Sequence, residues 1–271
     1  MGRTDVVRIV RASSWHPKKG GSVVIPPIEI KVNLDGEVPY ALDRLGMTSP
    51  PAERRKIWFA EARSTPGSCA LPLLDSHLII RMRSGEHHDD LTVRLRPCSP
   101  RQLPARWSEP FTDGDFSYRL EGDWCGSHRA TAASAISRRE PGSLAEAMSA
   151  GADPAHVLDS GQRQFLVTCT PAGVPIDHLV PLGPIDSWRW SDVLLDGAEV
   201  AVERWSVADV DMLEISTVVH AEPGESADDL EARADAAQVA LENAVRTRGL
   251  TPSPTDMKTQ RVLTALSCLL A

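Results

Sequence analysis

The stretch LIIRMRSGEHHDDLTVRLR, residues 78–96, contains two strand patterns joined by a polar loop. Apolar and polar residues alternate in each half, with the period of two that is typical of a β-strand. The basic positions of the first half are Arg81 and Arg83, and those of the second half are Arg94 and Arg96. Alternate residues lie on one face of a strand, so the stretch predicts a β-hairpin with one strongly basic face.

The choice of arginine at these four positions indicates the kind of ligand such a face would bind. A guanidinium group is a planar fork that binds phosphate oxygens bidentately, whereas lysine acts as a point charge. For any single strand, the alternative is an amphipathic strand whose charged face is solvated. Against this alternative, the acidic residues fall on other strands than the arginine pairs, so a barrel would join a basic wall to an acidic corner.

Further strand patterns extend on both sides of the hairpin, separated by Gly, Pro, Asp and Ser. They cover residues 28–34, 56–62, 78–83, 91–96, 116–124, 162–168, 187–191, 200–206 and 212–219. Residues 39–45, 144–150 and 154–165 have helical patterns between them, the last continuing into the 162–168 strand. The predicted fold class is α+β and mainly β: a closed antiparallel β-barrel with helices packed outside.

The chain divides into three predicted parts. Residues 1–24 form an N-terminal strand or a loose tail, and residues 25–220 form the barrel. Residues 221–271 form a pair of C-terminal helices packed on the barrel. The first helix begins at Ser226 as N-cap and is followed by Leu230, Ala234 and Leu241 at helical spacing, and the second covers residues 256–270.

Several other strands also carry charges at their polar positions. These residues are Glu29 and Lys31, then Arg119, Glu121 and Asp123, and finally Glu214. A triphosphate needs Arg and Lys to neutralise its charge, and Mg²⁺ or Mn²⁺ needs one or two carboxylates besides phosphate oxygens. A metal held in this way can polarise a phosphoryl oxygen and orient a water molecule.

These strands, in this order, resemble the CYTH superfamily, which includes class IV adenylate cyclases, thiamine triphosphatases and inorganic triphosphatases. The segment PIEIK at 27–31 resembles the first family strand, Glu-x-Glu-x-Lys, and TVRLR at 92–96 resembles Thr-Val-Lys-Leu-Arg. LIIRMR at 78–83 resembles Leu-x-Leu-Arg-x-Arg, and LEIS at 213–216 partly matches a late Glu-Ile-Glu strand. The resemblance covers residues 25–219 and implies a barrel that surrounds a triphosphate.

The resemblance also implies a role for each matching residue. The implied phosphate-binding residues are Lys31, Arg81, Arg83, Arg94, Arg96, Arg119 and Arg189, of which Lys31, Arg81 and Arg94 are also the implied catalytic residues. The implied ligands of Mg²⁺ or Mn²⁺ are Glu29, Glu121, Asp123 and Glu214. For Arg189 the alternative is a surface arginine between two packed tryptophans, and for Glu203 and Arg204 the inward-facing residue is left open.

Two positions depart from the family pattern. Pro27 and Ser216 each stand where the family has a glutamate, so two carboxylates are missing. Their loss weakens metal binding more than anion binding, because the arginines remain. Asp35 and Asp211 are nearby acids that could compensate, although nothing in the sequence places them in the tunnel.

The predicted function is therefore a divalent-metal-dependent triphosphatase, with a non-catalytic nucleotide- or polyphosphate-binding module or a nucleotide cyclase as alternatives. The net charge of −8 does not favour nucleic acid or an anionic membrane as a partner. We expect a cytoplasmic protein, since no stretch resembles a signal peptide or a membrane span. The five scattered cysteines are expected to be free thiols used in packing.

Overall fold

The computed structural model describes residues 24–35, 37–62, 69–253 and 258–269. In these ranges the strands are β1 Ile28–Asp35, β2 Glu53–Ala62, β3 Leu78–Gly85, β4 Asp89–Leu95, β5 Phe111–Asp113, β6 Phe116–Cys125, β7 His128–Arg139, β8 Leu179–Leu195, β9 Ala198–Val207, β10 Val210–Val219 and β11 Thr251–Pro252. The helices are α1 Val38–Arg44, α2 Pro72–Asp75, α3 Ser143–Ser149, α4 Pro154–Val157, α5 Ser160–Cys169, α6 Ala227–Thr247 and α7 Lys258–Leu269. Residues 1–23, which hold nearly all of the predicted N-terminal strand or tail, lie outside the described residues.

All strands belong to one sheet, in the order β11-β1-β10-β9-β8-β2-β3-β4-β7-β6-β5. An additional pairing between β1 and β6 closes nine of these strands into a barrel, with β5 and β11 attached at the edges. The closing pair is parallel and the other pairs are antiparallel. Gly122 permits this closure, because a Cβ atom there would lie 2.9 Å from Cγ1 of Ile28. The predicted closed barrel with helices outside is confirmed.

The two C-terminal helices lie where the sequence predicted them and pack on the barrel. In α6 the Ser226 hydroxyl accepts the backbone N–H of Asp229, and the apolar positions Leu230 and Leu241 are buried beside β1 and β10. In α7, Val262 and Leu263 are buried in a separate apolar cluster inside the fold. Helix α7 therefore contributes to the core. No helix in the described ranges is long and apolar enough to cross a membrane.

The prediction of a strand at residues 162–168 is wrong, because this segment belongs to helix α5. Asp159 caps the helix by accepting the backbone N–H of Gln162 at 2.7 Å. The buried residues are Gln162, Phe165, Leu166 and Cys169, which recur at helical spacing. The buried Gln162 amide donates to the carbonyl oxygen of Leu91 at 2.7 Å, which fixes the helix against the barrel.

Strand β7 is a barrel strand without a clear strand pattern in its sequence. Its sequence, HRATAASAISRR, consists mostly of small and charged residues and has only two of the β-branched residues, and none of the aromatic ones, that are enriched in strands. Ala132, Ala133 and Ala135 are fully buried. The strand is therefore specified by pairing with β4 and β6 rather than by its own pattern.

The expectation of five free thiols is wrong for two cysteines. Cys69 and Cys268 form a disulfide with their Cα atoms 4.9 Å apart, whereas Cys98, Cys125 and Cys169 are free and buried. The bonded residues are separated by 199 positions in the sequence. Only the docking of α7 brings them together, so their spacing could not predict the bond.

Candidate functional site

The interior of the barrel is a cavity of about 410 Å³, which we call the barrel cavity. All nine barrel strands and the first turn of α7 contribute to its wall. Its nine basic lining residues are Lys31, Arg55, Arg81, Arg83, Arg94, Arg96, Arg119, Arg189 and Lys258. Its five acidic lining residues are Glu29, Glu53, Glu121, Glu203 and Glu214.

The cavity wall has the opposite charge balance to the chain as a whole. With Asp90 and Asp123, which bind the lining arginines from behind, the nine basic residues face seven acidic ones. The excess of two positive charges contrasts with a net charge of −8 for the chain. The fold thus gathers basic residues in one place, as an anion site in an acidic protein requires.

One wall of the cavity is organised by Asp123, which is fully buried. Its Oδ2 atom accepts from Arg94 at 2.6 Å, Arg96 at 2.8 Å and Lys31 at 3.1 Å. Burial alone would raise the pKa of Asp123, but its three basic partners hold the pKa far below the usual range. The carboxylate therefore fixes the positions of three cations that face the cavity.

Two glutamates lie on the cavity side of the same cations. Glu29 contacts Lys31 at 2.7 Å, and Glu121 contacts Arg94 at 2.7 Å. Their side chains are 26% and 21% exposed, whereas Asp123 is 0% exposed, so a ligand in the cavity can reach the glutamates directly. Burial would raise the pKa of Glu29, but Lys31 lowers it below its usual value.

A second carboxylate, Asp90, organises a neighbouring part of the wall. Arg83 donates through Nε to both of its oxygens at 2.9 Å, and Arg55 lies 3.5 Å from the same carboxylate. Arg55 also contacts Glu53 at 2.7 Å. Arg55 and Glu53 were not predicted, because the predicted strand begins at Lys56, whereas β2 begins at Glu53. A strand extended by three residues places both on one face, since alternate residues share a face.

Three arginines at the cavity make no hydrogen bond or ion pair with any residue in the described ranges: Arg81, Arg119 and Arg189. The Nε atom of Arg81 is buried without a partner. Burial, and next the neighbouring Arg83, lower the pKa of Arg81 to about 9. A partly buried guanidinium that has another cation beside it and no hydrogen-bonded carboxylate is costly, so Arg81 favours the entry of an anion.

The β9–β10 side of the cavity contains Glu203 and Glu214, both in contact with Lys258. The sequence left open whether Glu203 or Arg204 of β9 faces inward, and the structure shows that Glu203 faces the cavity. The neighbouring Arg204 instead forms two hydrogen bonds with Asp211 at 2.7 and 2.8 Å, outside the cavity wall. Asp211 therefore does not replace a missing family carboxylate, and the side chain of Asp35 lies outside the described residues.

The structure brings the predicted site residues together. Ten of the eleven line the barrel cavity, and Asp123 lies directly behind them. The alternative of a solvated outer face is wrong for Arg81, Arg83, Arg94 and Arg96. Their roles in binding and catalysis stay predictions. Lys258 was missed because it belongs to a helix beyond the resemblance, where only tertiary packing places it at the site.

The acidic residues do not form a ready-made metal site. In the described part of the chain, no group of three or more His, Cys, Asp or Glu side chains could hold a metal ion. Each of the four predicted metal ligands has a basic partner. A resident metal held by protein ligands alone does not fit. A metal that arrives on phosphate fits Glu29 and Glu121, because Mg²⁺ is usually held by one or two carboxylates plus phosphate oxygens and water.

Comparison with known proteins places this fold. No protein-family profile and no curated protein sequence matches the chain. An adenylate cyclase candidate from Bacillus halodurans superposes with a TM-score of 0.53 and 15% identity, over 86% of this chain and 96% of its own. An adenylyl cyclase candidate from Hippeastrum, with a dominant triphosphatase activity, superposes with a TM-score of 0.52 and 13% identity, over 88% and 95%. The chain has the CYTH-type barrel fold.

Proposed function

We propose that the barrel cavity binds a triphosphate and that the protein is a phosphohydrolase acting on a nucleoside, thiamine or inorganic triphosphate. The observation that carries this proposal is that Arg81, Arg119 and Arg189, at a cavity with excess positive charge, form no hydrogen bond or ion pair with the described part of the chain. Phosphate oxygens are the partners that guanidinium groups match best. The dominant triphosphatase activity of the Hippeastrum neighbour also supports a phosphohydrolase.

In this proposal the basic residues divide the work. Arg81, Arg119 and Arg189 bind phosphate oxygens directly, because none of them is hydrogen-bonded or ion-paired to a carboxylate among the residues that the structure describes. Lys31 and Arg94 face the cavity and are held by Asp123. They stabilise the charge that develops on the phosphoryl oxygens as the phosphoanhydride bond breaks. Arg83 and Arg96 complete the basic wall, each fixed by a buried aspartate.

We further propose that Mg²⁺ or Mn²⁺ enters with the triphosphate and is held by Glu29 and Glu121. Bound there, the metal would polarise a phosphoryl oxygen. When phosphate oxygens take over Lys31 and Arg94, the two glutamates lose their present partners and become free to bind a cation. Asp123 is assigned to ion pairing alone, because it is fully buried beneath three basic groups.

A cytoplasmic location and a lack of nucleic-acid or membrane partners stay predictions from composition.

Two alternatives have specific support. Binding without turnover is favoured by the pairing of every predicted metal ligand with a basic residue. Nucleotide cyclisation is favoured because both structural neighbours are adenylyl cyclase candidates. The same phosphate site serves all three functions, which differ in whether water, a ribose hydroxyl or nothing attacks phosphorus.

The experiment incubates the purified protein with ATP, thiamine triphosphate or tripolyphosphate, with Mg²⁺ or Mn²⁺ or with chelator. Release of phosphate, pyrophosphate and cyclic nucleotide is measured beside the thermal shift. We expect a shift with metal-dependent phosphate release. A shift without product supports the binding module, and cyclic nucleotide supports the cyclase. The absence of both shift and product would refute the triphosphate site.

A further inference from the structure

Two glutamates lie side by side on the β9–β10 side of the barrel cavity. Glu203 of β9 and Glu214 of β10 are directly opposite each other in the antiparallel pairing, and both side chains line the cavity. Opposite positions in such a pair place the side chains about 5 Å apart, where like charges destabilise each other. The pair therefore requires a cation, and two oxygen ligands of this kind are typical of a Mg²⁺ or Mn²⁺ site.

The structure supplies that cation from the protein itself. Lys258, the first residue of α7, places Nζ 2.7 Å from Glu203 and 3.1 Å from Glu214. The Lys258 side chain is 4% exposed, and its Nζ lies 4.1 Å from the centre of the Trp205 ring. The other oxygen of Glu203 accepts from the Ser187 hydroxyl at 2.9 Å. Both oxygens of Glu203 are thus engaged.

Electrostatics in this pocket favour the ionised form of Glu203. Burial would raise the pKa of Glu203, but Lys258 holds it well below the usual range. A divalent ion placed between the two glutamates would meet the Lys258 ammonium at close range. It would have to expel this lysine into the cavity, so lysine and metal exclude each other at this position.

Helix α7 is fixed in the position that delivers Lys258. Near its other end, Cys268 is bonded to Cys69, and the Ser267 hydroxyl donates to the Cys69 carbonyl oxygen at 3.2 Å. Between the two ends, Val262 and Leu263 are buried in the core. Core packing and the disulfide therefore hold helix α7 in place, and the helix positions Lys258 against the two glutamates.

We propose that Lys258 is a built-in cation that takes the place of a divalent metal at the Glu203–Glu214 pair. The β9–β10 side of the cavity does not bind Mg²⁺ or Mn²⁺. A metal that enters on the phosphates is then held at Glu29 and Glu121 and not at this pair, a consequence that rests on the proposed function. Glu214, which the family resemblance implies is a metal ligand, binds this lysine instead.

The test measures Mn²⁺ binding by the full chain without any phosphate, by titration calorimetry and electron paramagnetic resonance. Lys258→Met keeps a long side chain and removes the charge. We expect it to gain one Mn²⁺ site per chain relative to wild type and to lose that site again when Glu214→Gln is added. The control is Lys56→Met, which removes an exposed lysine paired with Asp186 and leaves Mn²⁺ binding unchanged.

Two results would overturn the proposal. The first is a folded Lys258→Met variant that gains no Mn²⁺ site. The second is obtained without changing Lys258: if wild type binds Mn²⁺ and Glu214→Gln abolishes that binding, the pair is already a metal site. Because neither measurement contains a phosphate, its outcome is independent of whether the cavity binds triphosphate.

Discussion

Asp123→Asn is the substitution that most directly tests the basic wall of the cavity. The change preserves side-chain shape and removes the negative charge that Arg94, Arg96 and Lys31 share at 2.6, 2.8 and 3.1 Å. Three cations would then surround a neutral amide in a site with 0% exposure. We expect a large loss of stability that an added polyanion reverses.

The size of this loss follows from the contacts. Removing one partner of a buried ion pair costs about 3–5 kcal/mol. We take the lower end, about 3 kcal/mol, because Lys31 and Arg94 keep Glu29 and Glu121. At about 2–4 °C per kcal/mol for a chain of this size, the melting temperature falls by roughly 10 °C.

The assay is thermal and urea unfolding of wild type, Asp123→Asn and a control. The control is Asp211→Asn, whose carboxylate pairs with Arg204 at 2.7 Å but is 33% exposed. Such a pair contributes less than about 1 kcal/mol, so this variant stays within a few degrees of wild type. Tripolyphosphate should raise the melting temperature of Asp123→Asn more than that of wild type, because the anion replaces the missing charge.

The pH dependence gives the sign of the effect. The pKa of Asp123 is lowered in the folded state, so its stabilisation is present above the unfolded pKa near 4 and is lost as pH falls further. The stability gap between wild type and Asp123→Asn should thus be full at pH 7 and shrink in acid. If Asp123→Asn is no less stable than Asp211→Asn at pH 7, the reasoning about a buried charge cluster is wrong.

Two further predictions concern a basic residue and the disulfide. Because burial and the neighbouring Arg83 lower the pKa of Arg81, its positive charge is unfavourable in the empty cavity. Arg81→Gln should therefore melt at no lower a temperature than wild type without ligand, but tripolyphosphate should stabilise it less; a clearly lower melting temperature without ligand would contradict this. The Cys69–Cys268 bond joins residues 199 positions apart, so Cys268→Ser should lower the free energy of unfolding by about 2–5 kcal/mol. Dithiothreitol should destabilise wild type but not this variant. Equal unfolding curves for oxidised and reduced wild type would count against the bond.

The barrel could be predicted because its inner face repeats every two residues. In β3 and β4 this period places Arg81 and Arg94 on the inside while Ile80 and Val93 enter the core between barrel and helices. Residues 162–168 were wrongly predicted as a strand, because their buried residues recur with a helical period. Strand β7 was not predicted, because most of its residues are small or charged and do not alternate clearly.

The site could be predicted only as far as single strands reach. Alternation identifies which charges face inward, but it does not say which charges meet. The contact of Lys258 with Glu203 joins residues far apart in sequence, and so does the placement of Asp123 beneath Lys31. These contacts depend on barrel closure and on the docking of α7. They decide which carboxylates remain available to a metal, and alternation along single strands could not predict that.

Titration calorimetry with tripolyphosphate measures whether the cavity arginines that have no ion pair in the described ranges bind the phosphates. The comparison is wild type, Arg81→Gln and the control Arg54→Gln, which removes an exposed arginine from the neighbouring strand β2. A charge-assisted hydrogen bond contributes about 1.5–3 kcal/mol, so Arg81→Gln should bind roughly 10- to 100-fold more weakly. Arg54→Gln should bind as wild type does. Equal affinity of Arg81→Gln and wild type, or no binding by wild type, would contradict the account.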